Sequence, residues 1–196
     1  MTYAMKPLRC DPKKLNGLSE KLIVSHYENN YGGAVKRLNA IIAELAALDL
    51  ATAPVFVING LKREELIATN SMILHELYFD GLGASGEPDR ALLEAFTRDF
   101  VSIDRWRTEF VAMGKAMGGG SGWVLLTYSQ RDRNLVNQWA ADHTHSLAGA
   151  TPILALDMYE HSYHMDYGTA AAKYVDAFME NINWTSVGRL HQAHAR

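Results

Sequence analysis

Cys10 is the only cysteine in 196 residues, so no internal disulfide can form and nothing in the chain calls for an oxidising compartment. A basic surplus is missing too. Nineteen Lys and Arg against 22 Asp and Glu leave a net charge of -3, which gives no electrostatic footing for a nucleic-acid partner. The longest apolar runs, Thr151 to Met158 and Trp123 to Tyr128, fall well short of a membrane span, so no membrane partner is expected. The opening MTYAMKPLRCDPKKL lacks the apolar core of a secretory signal, and a cytoplasmic protein is the expectation. Internal repeats and low-complexity tracts are also lacking. What is present is an ordinary globular composition, 48% apolar and 21% charged, in a chain long enough to bury a substantial core as one domain or two. Eight histidines stand out against it: His26, His75, His143, His145, His161, His164, His191 and His194.

Ser19 is a helix N-cap ahead of Leu22, Ile23, Tyr27, Tyr31, Val35, Leu38, Ile41, Ile42 and Leu45, whose helical period lasts to about residue 48. Ala-Pro and Asn-Gly breakers fill residues 49 to 60, so a second helix is expected from near Lys62, carrying Leu66, Ile67, Asn70, Ile73, Leu74 and His75. DGLGASGEPD, residues 80 to 89, reads as a linker. It divides an N-terminal helical hairpin, 1–84, from a C-terminal α/β domain, 85–196. In the second part, 89–100 and 103–117 read as amphipathic helices. Residues 123–128, 134–140 and 151–156 read as antiparallel strands, and 169–181 and 183–195 as closing helices. The fold class is α+β: an antiparallel helical hairpin followed by a three-stranded antiparallel sheet flanked by helices.

Asp157 and His161 stand four residues apart at the end of the last apolar run, a spacing that lets a carboxylate and an imidazole meet one cation. A lone histidine on an apolar helix face, as His26 and His75 are, more often packs than ligates. The segment DMYEHSYH, however, resembles the Asp-x-Trp-Glu-His-Ala-Tyr-Tyr motif of iron/manganese superoxide dismutases. Asp157, Glu160, His161 and Tyr163 match it, while Tyr159 replaces the Trp and His164 the final Tyr. GSGW at 120–123 and Asn183-Trp184 extend the likeness over nearly the whole chain. The resemblance implies His26, His75, Asp157 and His161 as ligands of one iron or manganese ion per subunit, superoxide as substrate, and peroxide and oxygen as products. Three imidazoles and one carboxylate are a donor set suited to either metal. The resemblance also implies an aromatic shell of Tyr78, Phe79, Trp123 and Tyr159. In it Glu160 reaches the partner's ligand histidine across the two-fold axis of a homodimer, with His164 and Asn30 at the same interface.

Several positions depart from the family pattern. Its Lys-His-His and following Tyr are here Asn29, Asn30, Tyr31 and Ala34, and Gly168 stands where a basic residue is usual. A wider funnel and slower anion capture follow. Tyr31, one helical turn before Ala34, is a candidate catalytic hydroxyl, with Tyr27 the alternative. Ser71 fills one location of the residue that contacts metal-bound solvent. In the other location strict counting gives Asp142, and a one-residue gap gives His143, the preferred candidate. An alternative to the enzyme is a dismutase-like metalloprotein with little superoxide turnover. His191 and His194 are expected to be solvated.

Overall fold

The computed structural model describes residues 2–195. The chain opens with a single 3-10 turn and then a helix that runs unbroken from residue 20 to 47, in three sections: α1 (Glu20–Ser25), a π-helical section (His26–Tyr31) and α2 (Gly32–Ala47). Ser19 caps it as the sequence implies, its hydroxyl accepting from the Leu22 amide at 3.1 Å. The same residue is tied to Asp166 through both backbone amide and hydroxyl, each at 2.7 Å, which fixes the start of the helix against the segment around Asp166. The π section was not foreseen. Widened turns of this kind interrupt α-helices mostly at functional sites, and this one carries His26.

The return helix, α3 (Val55–Asp80), starts at the residue after Pro54, seven positions earlier than expected. Asn59-Gly60 therefore lies inside a helix rather than at its boundary. Helix continuation over 26 residues outweighs the Gly60 cost of about 1 kcal/mol. Packing of α2 on α3 buries Val35, Leu38 and Ile41 on one side and Ala68 and Met72 on the other, while Phe79 packs on Tyr27 and Tyr31 of the π section. Gly32 is explained by close approach, because a Cβ there would come within 3.1 Å of the Met5 sulfur.

Helices α4 (Arg90–Phe100) and α5 (Ile103–Ala116) precede the sheet. Its strands are β1 (Trp123–Ser129), β2 (Asn134–Ala140) and β3 (Ala150–Asp157), in the order β2-β1-β3 and antiparallel throughout. The central strand β1 is buried along its whole length. Its register pairs Trp123 with Asp157, so an aromatic ring and a carboxylate reach the same end of the sheet. A short 3-10 turn (Glu160–Ser162), α6 (His164–Tyr167), α7 (Ala171–Glu180) and α8 (Trp184–His194) complete the chain.

Residues 81–84 are hydrogen-bonded to the α7–α8 junction: Leu82 bridges Ile182, and the Gly83 and Ala84 amides both donate to the Asn181 carbonyl. One continuous apolar cluster runs from Leu22 in the hairpin to Val187 in α8. His191 is a correction. It is 5% exposed, with its ring 6.0 Å from that of Tyr128, because it falls on the inward stripe of α8.

Candidate metal centre

Four side chains from three distant parts of the sequence converge where the hairpin meets the end of the sheet. The π section delivers His26, α3 delivers His75, β3 ends on Asp157, and the following 3-10 turn brings back His161. One ligating atom from each lies within 4.8 Å of all the others. The Asp157 Oδ2 atom is 3.3 Å from His26 Nε2, 3.3 Å from His161 Nε2 and 3.6 Å from His75 Nε2. Such separations are edge lengths of a coordination polyhedron whose donors stand about 2.1 Å from one ion.

The groups around the cluster decide which atoms face inward. Ser71 carbonyl accepts from His75 Nδ1 at 2.6 Å, which places the proton on Nδ1 and leaves the Nε2 lone pair free. The Tyr159 amide donates to Asp157 Oδ1 at 2.8 Å, so Oδ2 is the oxygen that faces the histidines. The Asp157 carbonyl accepts from both Ser162 Oγ and Tyr174 Oη at 2.8 Å, fixing the strand end on which the carboxylate stands. Ser162 and Tyr174 were missed from sequence, since nothing in their spacing tells them from ordinary core polar residues.

Among the described residues His26 Nε2 and His75 Nε2, which face Asp157, are buried without a hydrogen-bond partner, an arrangement that costs free energy unless something else occupies the space between them. Burial pushes His26 and His75 below the ordinary imidazole value, His75 to about 3, so both are neutral at physiological pH. Burial acts on Asp157 in the opposite sense, but its contacts with His161 and His26 outweigh this and hold the carboxyl ionised, below the usual range. Three imidazole nitrogens gathered around one carboxylate oxygen are a receptor for a cation, and these N/O donors fit iron or manganese.

Aromatic side chains close the cluster. The His26 ring lies 5.0 Å from Tyr78 and 5.0 Å from Phe79, Trp123 lies 5.3 Å from His75, and Tyr159 stacks 5.4 Å from His161. His143 stacks on Tyr159 at 4.9 Å, with its ring 6.2 Å from His75. Trp123 Nε1 donates to His143 Nδ1 at 3.0 Å, which leaves the proton of the neutral ring on Nε2. Asp142 is turned aside, its carboxylate taken up by the amide and hydroxyl of Thr144 at 2.7 and 2.6 Å.

The structure does not bring Tyr31 into this group. Its hydroxyl accepts from the Lys6 amide at 2.8 Å and donates to Glu76 at 3.0 Å, and burial raises it to about 12. It lines a small cavity with Lys6, Tyr27 and Glu76, separate from the larger one, of about 350 Å³, that lies between Ala34 on α2 and Ala68 on α3 and reaches Ser71 and His143. Asn30 is half-buried on the wall of the larger cavity, while Glu160 and His164 are exposed beside His161.

A cluster of three imidazoles and one carboxylate, all but His161 buried and held between a helical hairpin and a three-stranded sheet, defines a protein able to hold a single metal ion. Residues 88–190 match the family model described as iron/manganese superoxide dismutases, C-terminal domain. The chain is 76% identical to the superoxide dismutase [Fe] of Cupriavidus metallidurans over 184 residues, 94% of this chain and 93% of that one. It is 35% identical to the superoxide dismutase [Fe] of Aquifex pyrophilus, over 90% of this chain and 85% of that one, and 35% identical to superoxide dismutase [Mn] 2 of Haloferax volcanii, over 94% and 92%. The chain belongs to the iron/manganese superoxide dismutase family.

Proposed function

We infer that the protein is a superoxide dismutase, with His26, His75, Asp157 and His161 as ligands of one metal ion per subunit. The observation that carries this reading is the convergence of the buried Asp157 carboxylate and three imidazoles, one ligating atom of each within 4.8 Å of the others. The relative at 76% identity is named for iron, and iron is the metal we propose here. When bound, the ion supplies a one-electron relay, accepting an electron from one superoxide, released as oxygen, and giving it to a second, released with two protons as hydrogen peroxide.

The chain's own residues orient the site and handle protons. The Ser71 carbonyl sets the tautomer of His75, and the aromatic shell excludes bulk water. His143, whose Nε2 proton is not engaged by Trp123, is the proton donor in this reading, a role that the Asp142 carboxylate, engaged with Thr144, is poorly placed to take. Glu160, His164 and Asn30 form the interface of a homodimer in this reading. Residues 1–84 and 85–196 act as two halves that contribute two ligands each and share one core. A cytoplasmic setting suits the reduced Cys10, and no helix among the described residues is long and apolar enough to cross a membrane.

Metal analysis of purified protein followed by turnover of pulsed superoxide tests the reading. Stoichiometric iron with turnover far above spontaneous dismutation is expected. Full iron content with only the spontaneous rate would leave a metal-binding homologue, and absence of metal after iron loading would remove the centre itself.

A further inference from the structure

The cavity that ends on His143 is much larger than a diatomic substrate requires. At about 350 Å³ it falls within the size range of small-molecule pockets, roughly 300 to 1,000 Å³. Its inner wall is Ser71 and His143, one layer of side chains from the metal cluster. Gly33 and Ala34 leave its α2 wall bare. A Cβ added at Gly33 would meet nothing within 4 Å, so this glycine, unlike Gly32, answers no packing need and only keeps the space open.

Chemistry along the wall is graded. Ile67, Ala34 and Ala68 are apolar, whereas Arg37 brings a guanidinium to the rim one helical turn beyond Ala34. Arg37 is paired with Glu64, which also accepts from Arg63 Nη1 at 3.4 Å. Among the described residues neither Glu64 nor Arg63 lines the cavity; Arg37 is the one lysine or arginine on its wall, and no carboxylate lines it. Arginine has five donors, so a contact through Nη2 leaves others for a second anion.

We propose that this cavity is a vestibular binding site for short-chain carboxylates such as acetate and propionate, with the carboxylate held by Arg37 and the alkyl chain against Ile67, Ala34 and Ala68. The occupied vestibule blocks the approach to His143, so the same anions compete with superoxide. Competition rests on the dismutase reading, whereas binding does not.

Propionate binding is measured by calorimetry and ligand-observed NMR on iron-loaded protein, metal-free protein, Arg37→Gln and Gly33→Leu. One saturable site is expected, of similar affinity with and without iron, and about tenfold weaker in Arg37→Gln through loss of one charge-assisted hydrogen bond. Gly33→Leu places a side chain in open space and improves the helix, so it is expected to fold with unchanged or higher thermal stability and to lose propionate binding. In kinetics, propionate is expected to raise KM for superoxide and leave kcat unchanged. Absence of saturable binding, binding only when iron is present, or binding indifferent to both substitutions would overturn the proposal. Arg37-dependent binding to a protein without superoxide turnover would overturn the dismutase reading and leave the vestibule standing.

Discussion

A carboxylate with no exposed surface needs donors or a cation beside it, and an ion held by Asp157 and the three imidazoles would supply the cation. Asp157→Asn keeps the shape and the Tyr159 amide contact but removes the anion. Iron affinity is expected to fall by at least about a hundredfold, read as iron per chain after dialysis against a weak chelator. His143→Leu has the opposite signature: full iron content with turnover lowered by about ten- to a hundredfold, because a proton donor is lost and no ligand is. Tyr31→Phe separates the sequence expectation from the observed bonding. With the hydroxyl given to Lys6 and Glu76, turnover is expected to stay within about twofold while unfolding free energy drops by about 1 kcal/mol. His191 adds a pH dependence of its own, away from the metal centre. Its Nδ1 is buried without a partner among the described residues, and burial lowers it from the ordinary 6.5, with Asp89 and Asp99 opposing and Arg98 reinforcing the shift. The unfolded chain therefore binds this proton more readily. The stability His191 allows is complete above pH 6.5 and is lost as pH falls from there through the depressed folded value. Urea titrations at pH 7.5 and 5 check this, with His191→Phe expected to flatten the difference.

At the level of elements, periodicity and turn chemistry made most of the architecture legible, and the failures have specific causes. The strand Asn134–Ala140 coincides with its expected range, since polar turns bound it on both sides. Helix α3 was cut short because Asn59-Gly60 is a turn pair when read locally, whereas propensity is a weak signal once a long helix is under way. Gly60 has nothing within 4 Å of its missing Cβ, so Gly60→Ala is expected to stabilise by about 1 kcal/mol, seen as a raised melting temperature with unchanged turnover. The π section left no mark on the sequence pattern, because the apolar spacing from Leu22 to Leu38 accommodates a widened turn. Within the site, Asp157 and His161 were legible from their spacing alone. His26 and His75 became legible only through resemblance, since tertiary folding sets their distance from Asp157. The choice between Asp142 and His143 was a matter of register, and the Thr144 contacts favour His143 by occupying the carboxylate.

Over the whole molecule, the burial of the cluster is uneven. His26, His75 and Asp157 are sealed, but the His161 side chain is 28% exposed, and Glu160 and His164 stand open next to it. A redox ion gains little from a tight aromatic shell if one ligand imidazole faces water. A second copy of the chain, with Glu160 accepting from the partner's exposed imidazole, would close that side of both centres at once, since a two-fold contact is reciprocal. Light scattering after gel filtration is expected to give about twice the 21.8 kDa of one chain. Glu160→Ala is expected to shift the mass toward one chain on dilution and to speed iron loss to a chelator by about tenfold, through the loss of the group that orients His161. A single-chain mass at every concentration, with iron retained as tightly as in the unaltered protein, would make Glu160 an ordinary solvated charge and leave the exposed edge of His161 to water.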